Sequence, residues 1–126
     1  MTEGPEVLDA SALLAWLQDE PGAELVELNG VLMNSVNWSE VLQKSLQHGA
    51  EVVGLREELE ALGLVLLPFG LEEARRAAEL FARTRGHGLA LGDRACLATA
   101  WATGGVAVTA DRAWPELDGV RTRRIR

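Results

Sequence analysis

Residues 91–111 read LGDRACLATAWATGGVAVTAD, and this stretch decides the fold. After Arg94 the run to Thr103 carries no charge, so a helix over 93–103 is expected to be buried on most sides. Gly104-Gly105 breaks it, and Val106 to Thr109 then reads as a short buried strand. A helix buried on most sides beside a short buried strand points to an α/β domain.

Working outward, the same two kinds of segment alternate. Val7-Leu8, Val31 to Val36 and Leu64 to Leu67 are further β-prone runs. Residues 10–18, 51–62 and 71–85 have helical period. In 71–85, Ala74, Ala77, Ala78 and Phe81 predict one apolar face, with Glu72–Arg76 and Glu79–Arg83 as i,i+4 pairs on the other. Val52, Leu55, Leu59 and Leu62 predict a stripe in the second, and Gly63 stands where a glycine ends a helix. Alternating helices and buried strands imply a mainly parallel sheet. The chain has 126 residues, the length of a single domain over 1–126.

Composition excludes several classes. Hydrophobic residues make up 48% and charged residues 25%, which is globular rather than disordered. A single cysteine, Cys96, excludes an internal disulfide framework and a multi-cysteine zinc site, and it reads as a small core residue. No apolar run is long enough for a membrane span, and MTEGPEV lacks the basic and apolar parts of a secretion signal, so a cytoplasmic protein is expected. The net charge of −7 argues against gripping nucleic acid by charge alone. Four of the twelve basic residues lie in the tail VRTRRIR, as Arg121, Arg123, Arg124 and Arg126; this reads as a charged edge strand or as a strip that contacts phosphate or a partner.

Parallel sheets bind ligands at the carboxyl ends of their strands, and acids gather there. Asp9 follows the first strand, Glu40 the second and Asp111 the last, while Asp93 opens the buried helix. Each has a structural alternative. Asp9 is a polar strand end or a helix cap, Asn37 with Glu40 has the spacing of a capping box, Asp93 is an N-cap, and Asp111 caps a turn. Together the four point to a shared site. One pair of carboxylates 4 Å apart repels by about 4 kcal/mol at an effective dielectric of 20. Such a cluster must hold protons or a cation, and oxygen donors without His or Cys select Mg²⁺ or Mn²⁺. A metal held this way would let an acidic protein act on a polyanion.

Four blocks carry a family resemblance: VLDASALLAWL from Val7, VNWSEVL from Val36, LALGDRACLATAWA from Leu89 and VAVTADRAW from Val106. In order and context they resemble the blocks of PIN-domain proteins, in particular the VapC-type toxins of bacterial toxin–antitoxin pairs. The resemblance implies a three-layer α/β/α sandwich and a Mg²⁺- or Mn²⁺-dependent endoribonuclease. It implies that Asp9, Glu40, Asp93 and Asp111 are the catalytic, metal-binding acids, with the hydroxyls of Thr109 and Ser11 in support. The family often has a further acid or Asn after the last aspartate; here that stretch is Arg112-Ala113-Trp114. The resemblance also implies a homodimer and a cognate antitoxin whose C-terminal segment covers the acidic groove.

The remaining signals divide between chemistry and packing. Arg94 and Arg112 each follow a proposed ligand and would either bind the scissile phosphate or pair with acids. Trp16, Trp38, Trp101 and Trp114 read as packing residues, with base stacking the alternative for Trp38 and Trp114. Gly86, Gly88 and Gly92 fit no phosphate-binding loop and read as a flexible connection before Asp93. His48 and His87 carry no expected role. Two other functions compete. A phosphotransfer protein built on Asp9 fits poorly: a dehalogenase-like phosphatase wants an Asp where Ser11 stands, and a receiver domain wants a late lysine where the only lysine is Lys44. An interaction module that keeps the fold but does not cleave is the other.

Overall fold

The computed structural model describes residues 4–126; the first three residues of MTEGPEV lie outside the described residues. Five parallel strands form one sheet: β1 (Glu6–Leu8), β2 (Leu32–Asn34), β3 (Val65–Leu67), β4 (Val106–Thr109) and β5 (Arg121–Arg124), in the spatial order β3-β2-β1-β4-β5. Five helices connect them: α1 (Ala10–Leu17), α2 (Ser35–Gln47), α3 (Leu55–Ala61), α4 (Leu71–Arg83) and α5 (Leu91–Thr103). The chain builds outward from β1 to β3, then crosses to the other side of β1 through α4 and α5. The order therefore reverses at β1 and β4, paired from Glu6–Val106 to Leu8–Val108. The ends of these two strands are where a parallel sheet opens a ligand crevice.

Alternation along the strands makes three layers, the α/β/α sandwich expected. Leu8, Met33 and Val108 pack with α1, α2 and α3 residues such as Leu13, Val41 and Leu59. Their neighbours Val7 and Ala107 point to the opposite face, against Ala77 and Leu80 of α4 and Leu97 and Ala100 of α5. Cys96 is fully buried in that second layer, as a core residue. Every residue of α5 from Ala95 to Ala100 is buried, and the small side chains let it lie close on the sheet. Trp114 is buried in the same layer, and Trp38 packs against the other, so packing accounts for both.

Five expectations change. The second strand stops at Asn34, because Asn34 caps α2 by accepting from Asn37 N at 2.8 Å; the run to Val36 is strand, cap and helix. Asn37 is thus inside α2 and does not cap it. The buried face of α4 is Ala77 and Leu80, not Ala74, Ala78 and Phe81; Phe81 is 52% exposed. Both faces repeat with the same period, and contact with α5 chose between them. The expected Glu72–Arg76 pair forms, at 3.6 Å, but Arg83 leaves Glu79 to lie over Trp101, 5.4 Å from the ring centroid, and Arg75 takes Glu79 and shares Glu72. The helix expected over 51–62 is shorter, starting at Leu55, and Gly63 follows its end at a φ of +105° with Asn29 packed where a side chain would go.

The tail is an edge strand. β5 pairs with β4, and Arg121, Arg123 and Arg124 charge the open edge. Arg123 bonds Glu6 at 2.6 Å. Among the described residues, no helix is long and apolar enough to cross a membrane.

Candidate active site

Asp9 lies where β1 ends and α1 begins, only 6% exposed. It caps α1, its Oδ1 accepting from Ala12 N at 2.9 Å. Ser11 Oγ donates to the same oxygen at 2.7 Å, and Thr109 Oγ donates to Oδ2. Each hydroxyl has one hydrogen, and both are committed to Asp9. The 3.1 Å approach of the two hydroxyl oxygens is therefore a packing contact. Ser11 also accepts from Ala110 N at 2.9 Å, so the end of β4 is tied to the first turn of α1. The capping reading of Asp9 and the site reading are both true of one side chain.

Burial raises the Asp9 pKa from 3.8 to about 6, although the bonds from Thr109, Ala12 and Ser11 pull it down; nearby Asp93 adds to the rise. The desolvation of a carboxylate this enclosed outweighs three hydrogen bonds. A cation would relieve that cost.

Glu40 lies one turn after Asn37 on α2. Asn37 Nδ2 donates to Glu40 Oε1 at 2.9 Å and to Gly92 O, at the start of α5, at 3.0 Å. Asn34 reaches the same helix, donating to Ala95 O and to Thr99 Oγ, each at 3.0 Å. The two asparagines stitch α2 to α5. Gly92 is part of this joint rather than of a flexible connection: a Cβ there would stand 2.3–2.6 Å from the Glu40 carboxylate.

Asp93 sits three residues after Ala90, the residue that caps α5, and its Oδ2 accepts from Ala90 N at 3.0 Å. It is not the N-cap, but it closes the first turn. Arg112 Nε lies 3.6 Å from the same oxygen. Asp111, just past β4, binds Arg126 through Oδ1 at 2.6 Å. Arg126 also donates to Ala110 O and Pro21 O and pairs with Glu20.

All four acids line one polar cleft of about 190 Å³ at the carboxyl ends of β1 and β4, with Ser11, Thr109 and Arg112. Arg94 is elsewhere: it donates to Ala77 O at 3.0 Å and covers the Phe81 ring. The sequence reading did not assign Asn37, Gly92 and Lys44 to the cleft, yet all three line it. The available signal was spacing, since 37, 40 and 44 share one face of a helix. Among the described residues no three acids, imidazoles or thiolates lie close enough to enclose an ion by themselves. The acids are not packed together as expected, because each has its own partner: hydroxyls, Asn37, Arg112 and Arg126 in turn.

The PIN domain family model matches residues 7–120, from β1 to the residue before β5. The chain belongs to the PIN domain family. PIN domains are in general metal-dependent nucleases. Two solved structures share the fold of this PIN domain. A chain of a toxin–antitoxin complex from Klebsiella pneumoniae is 19% identical, with 91% of this chain and 94% of that one covered and a TM-score of 0.74. A chain of a DNA-bound VapBC complex from Salmonella typhimurium is 17% identical, with 96% and 98% covered and a TM-score of 0.71. The comparison with curated proteins finds no match.

The cleft of this PIN domain suits a divalent ion. Its donors are hard oxygens, with no imidazole or thiolate among them. One carboxylate is buried at a cost that a cation offsets. A further oxygen, Asn37 Oδ1, is buried without a partner.

Proposed function

We propose that this PIN domain is a metal-dependent endoribonuclease, the toxin of a toxin–antitoxin pair, acting in the cytoplasm as a homodimer. The observation that carries the reading is the meeting of Asp9, Glu40, Asp93 and Asp111 on one cleft at the carboxyl ends of β1 and β4. These four acids would hold Mg²⁺ or Mn²⁺. The bound ion would screen the phosphodiester and lower the pKa of the attacking water.

The chain's own groups do the rest. Ser11 and Thr109 fix both oxygens of Asp9, so that its charge stays in the cleft. Asn37 and the bare backbone of Gly92 set Glu40. Arg112, on the cleft wall beside Asp93, is the side chain placed to meet a phosphate oxygen of RNA. Arg94, engaged with Ala77 and Phe81, serves packing instead. The antitoxin reading is supported by the neighbouring folds, both found in toxin–antitoxin complexes, and by an acidic cleft suited to a basic side chain.

One observation favours the second reading, a PIN-like module that binds without cleaving: no three acids among the described residues enclose an ion unaided. RNA cleavage by purified protein separates the two. Cleavage with Mg²⁺ or Mn²⁺ that EDTA and Asp9→Asn both abolish is the expected result. Folded, antitoxin-free protein that leaves total RNA intact at saturating Mn²⁺ would favour the module.

A further inference from the structure

We propose that Asn37 is a positioning residue for the hydrated cation, its carbonyl oxygen accepting a hydrogen bond from one of the ion's waters. The inference rests on the metal-site reading of the acidic cleft and adds a neutral oxygen to it.

The orientation of the amide is fixed by its neighbours. Its nitrogen bonds the Glu40 carboxylate and the Gly92 carbonyl, and both of these only accept. Turning the amide over would set oxygen against oxygen at both places. The carbonyl oxygen is therefore the atom left over. Asn37 is 0% exposed, and its Oδ1 has no hydrogen-bond partner. Buried polar atoms almost always have one, so an orphan on the wall of a polar cleft marks the place of a missing donor.

The acids say what that donor is. Among the described residues no three of them close around an ion. Small hard cations give up water reluctantly and are held partly through the waters they keep. Those waters donate strongly, and Oδ1 is an acceptor with nothing else to accept. The Gly92 cradle brings Glu40 against α5 beside this amide, so the side chain that sets Glu40 with its nitrogen also lines the cleft and keeps an enclosed oxygen free to accept.

The test is Mn²⁺ affinity, read by electron paramagnetic resonance of free Mn²⁺, for wild type, Asn37→Ala, Glu40→Gln, and Glu40→Gln combined with Asn37→Ala or with Asn37→Asp. Circular dichroism and metal-free melting check the fold of each. Loss of a group that holds a ligand from behind costs 10–100-fold in metal affinity, and Asn37→Ala is expected to weaken Mn²⁺ binding by about tenfold or more. The loss should persist on the Glu40→Gln background, because the carbonyl acts independently of Glu40. Asn37→Asp keeps the acceptor but sets a second oxygen against the Glu40 and Gly92 oxygens. It is therefore read on the Glu40→Gln background, where the new amide can donate to it; there it should bind Mn²⁺ more tightly than Asn37→Ala does. It also serves as the readout if Asn37→Ala does not fold, when weaker binding than in Glu40→Gln alone would overturn the proposal. A residue that only propped up Glu40 would lose affinity in Asn37→Ala and lose none on the Glu40→Gln background; that pattern overturns the proposal. Unchanged affinity in Asn37→Ala overturns it too and leaves the metal site standing. Wild-type protein that binds no Mn²⁺ at millimolar concentration overturns the metal site itself and this role with it.

Discussion

At the scale of single residues, Asp9 is where function and stability oppose each other. Its pKa rises from 3.8 to about 6 on folding, chiefly by burial. Between these values the folded protein binds a proton that the unfolded chain does not, so stability falls as pH rises through the window and the full penalty is present above it. The shift corresponds to about 3 kcal/mol. Asp9→Asn keeps the shape and the bond from Ala12 N. Metal-free Asp9→Asn is expected to be more stable than wild type at pH 7.5, by up to about 3 kcal/mol in urea melts, with the gap closing near pH 4. Equal stability at both pH values would mean that the Asp9 charge is well solvated. The same variant should lose cleavage, a trade of activity for stability. The four acids were legible from strand ends and helix starts. The hydroxyls of Ser11 and Thr109 were legible only through family likeness, because the bond between Thr109 and Asp9 joins residues 100 apart.

At the scale of elements, the joint between α2 and α5 decides the geometry of Glu40. Gly92 costs helix stability, roughly 1 kcal/mol relative to Ala. Its backbone is nonetheless bare because the Glu40 carboxylate occupies the space. Gly92→Ala is therefore expected to leave the melting temperature unchanged or raised, while Mn²⁺ affinity and RNA cleavage fall by about tenfold or more. Retained Mn²⁺ affinity would show that Glu40 can move aside at no cost to the site. The periodicity of α4 shows the limit of local reading. Ala74, Ala78 and Phe81 have the spacing of a buried face, yet Ala77 and Leu80 are the residues turned to α5. Arg76 and Arg83 then cover Trp101 from α4, which no i,i+4 rule foresees.

At the scale of the molecule, the strand order puts the cleft where it is. β1 and β4 are neighbours although about a hundred residues separate them. Their carboxyl ends deliver Asp9, Thr109 and Asp111 to one place, and α5 brings Asp93. The arginine tail meets the body at both ends of the sheet, at the amino end of β1 and at the cleft. Arg123 pairs with Glu6, and Arg126 ties Asp111 to Glu20 and Pro21. The tail thus supplies counter-charge to an acidic body. The homodimer of the proposed function is expected to show in light scattering as twice 13.6 kDa. A mass of 13.6 kDa at micromolar concentration would remove the dimer and leave the cleft, built from one chain, untouched.

The sequence by itself determined the alternation of helices and strands except for α2, which it marked only by the Asn37–Glu40 spacing, together with a mainly parallel sheet and the presence of four acids at its carboxyl edge. Those follow from local pattern: apolar period, glycine punctuation and residue type at element ends. Only the tertiary structure decided which stripe of α4 is buried, that Asn34 rather than Asn37 caps α2, and that Arg112 and Arg126 take Asp93 and Asp111 while Arg94 turns to Ala77. It also decided that Asn37 and Gly92, 55 residues apart, share the setting of Glu40. The physical reason is the range of each interaction. A period is a property of neighbours along the chain. A hydrogen bond or a close approach across α2 and α5 exists only once the sheet has brought those helices together.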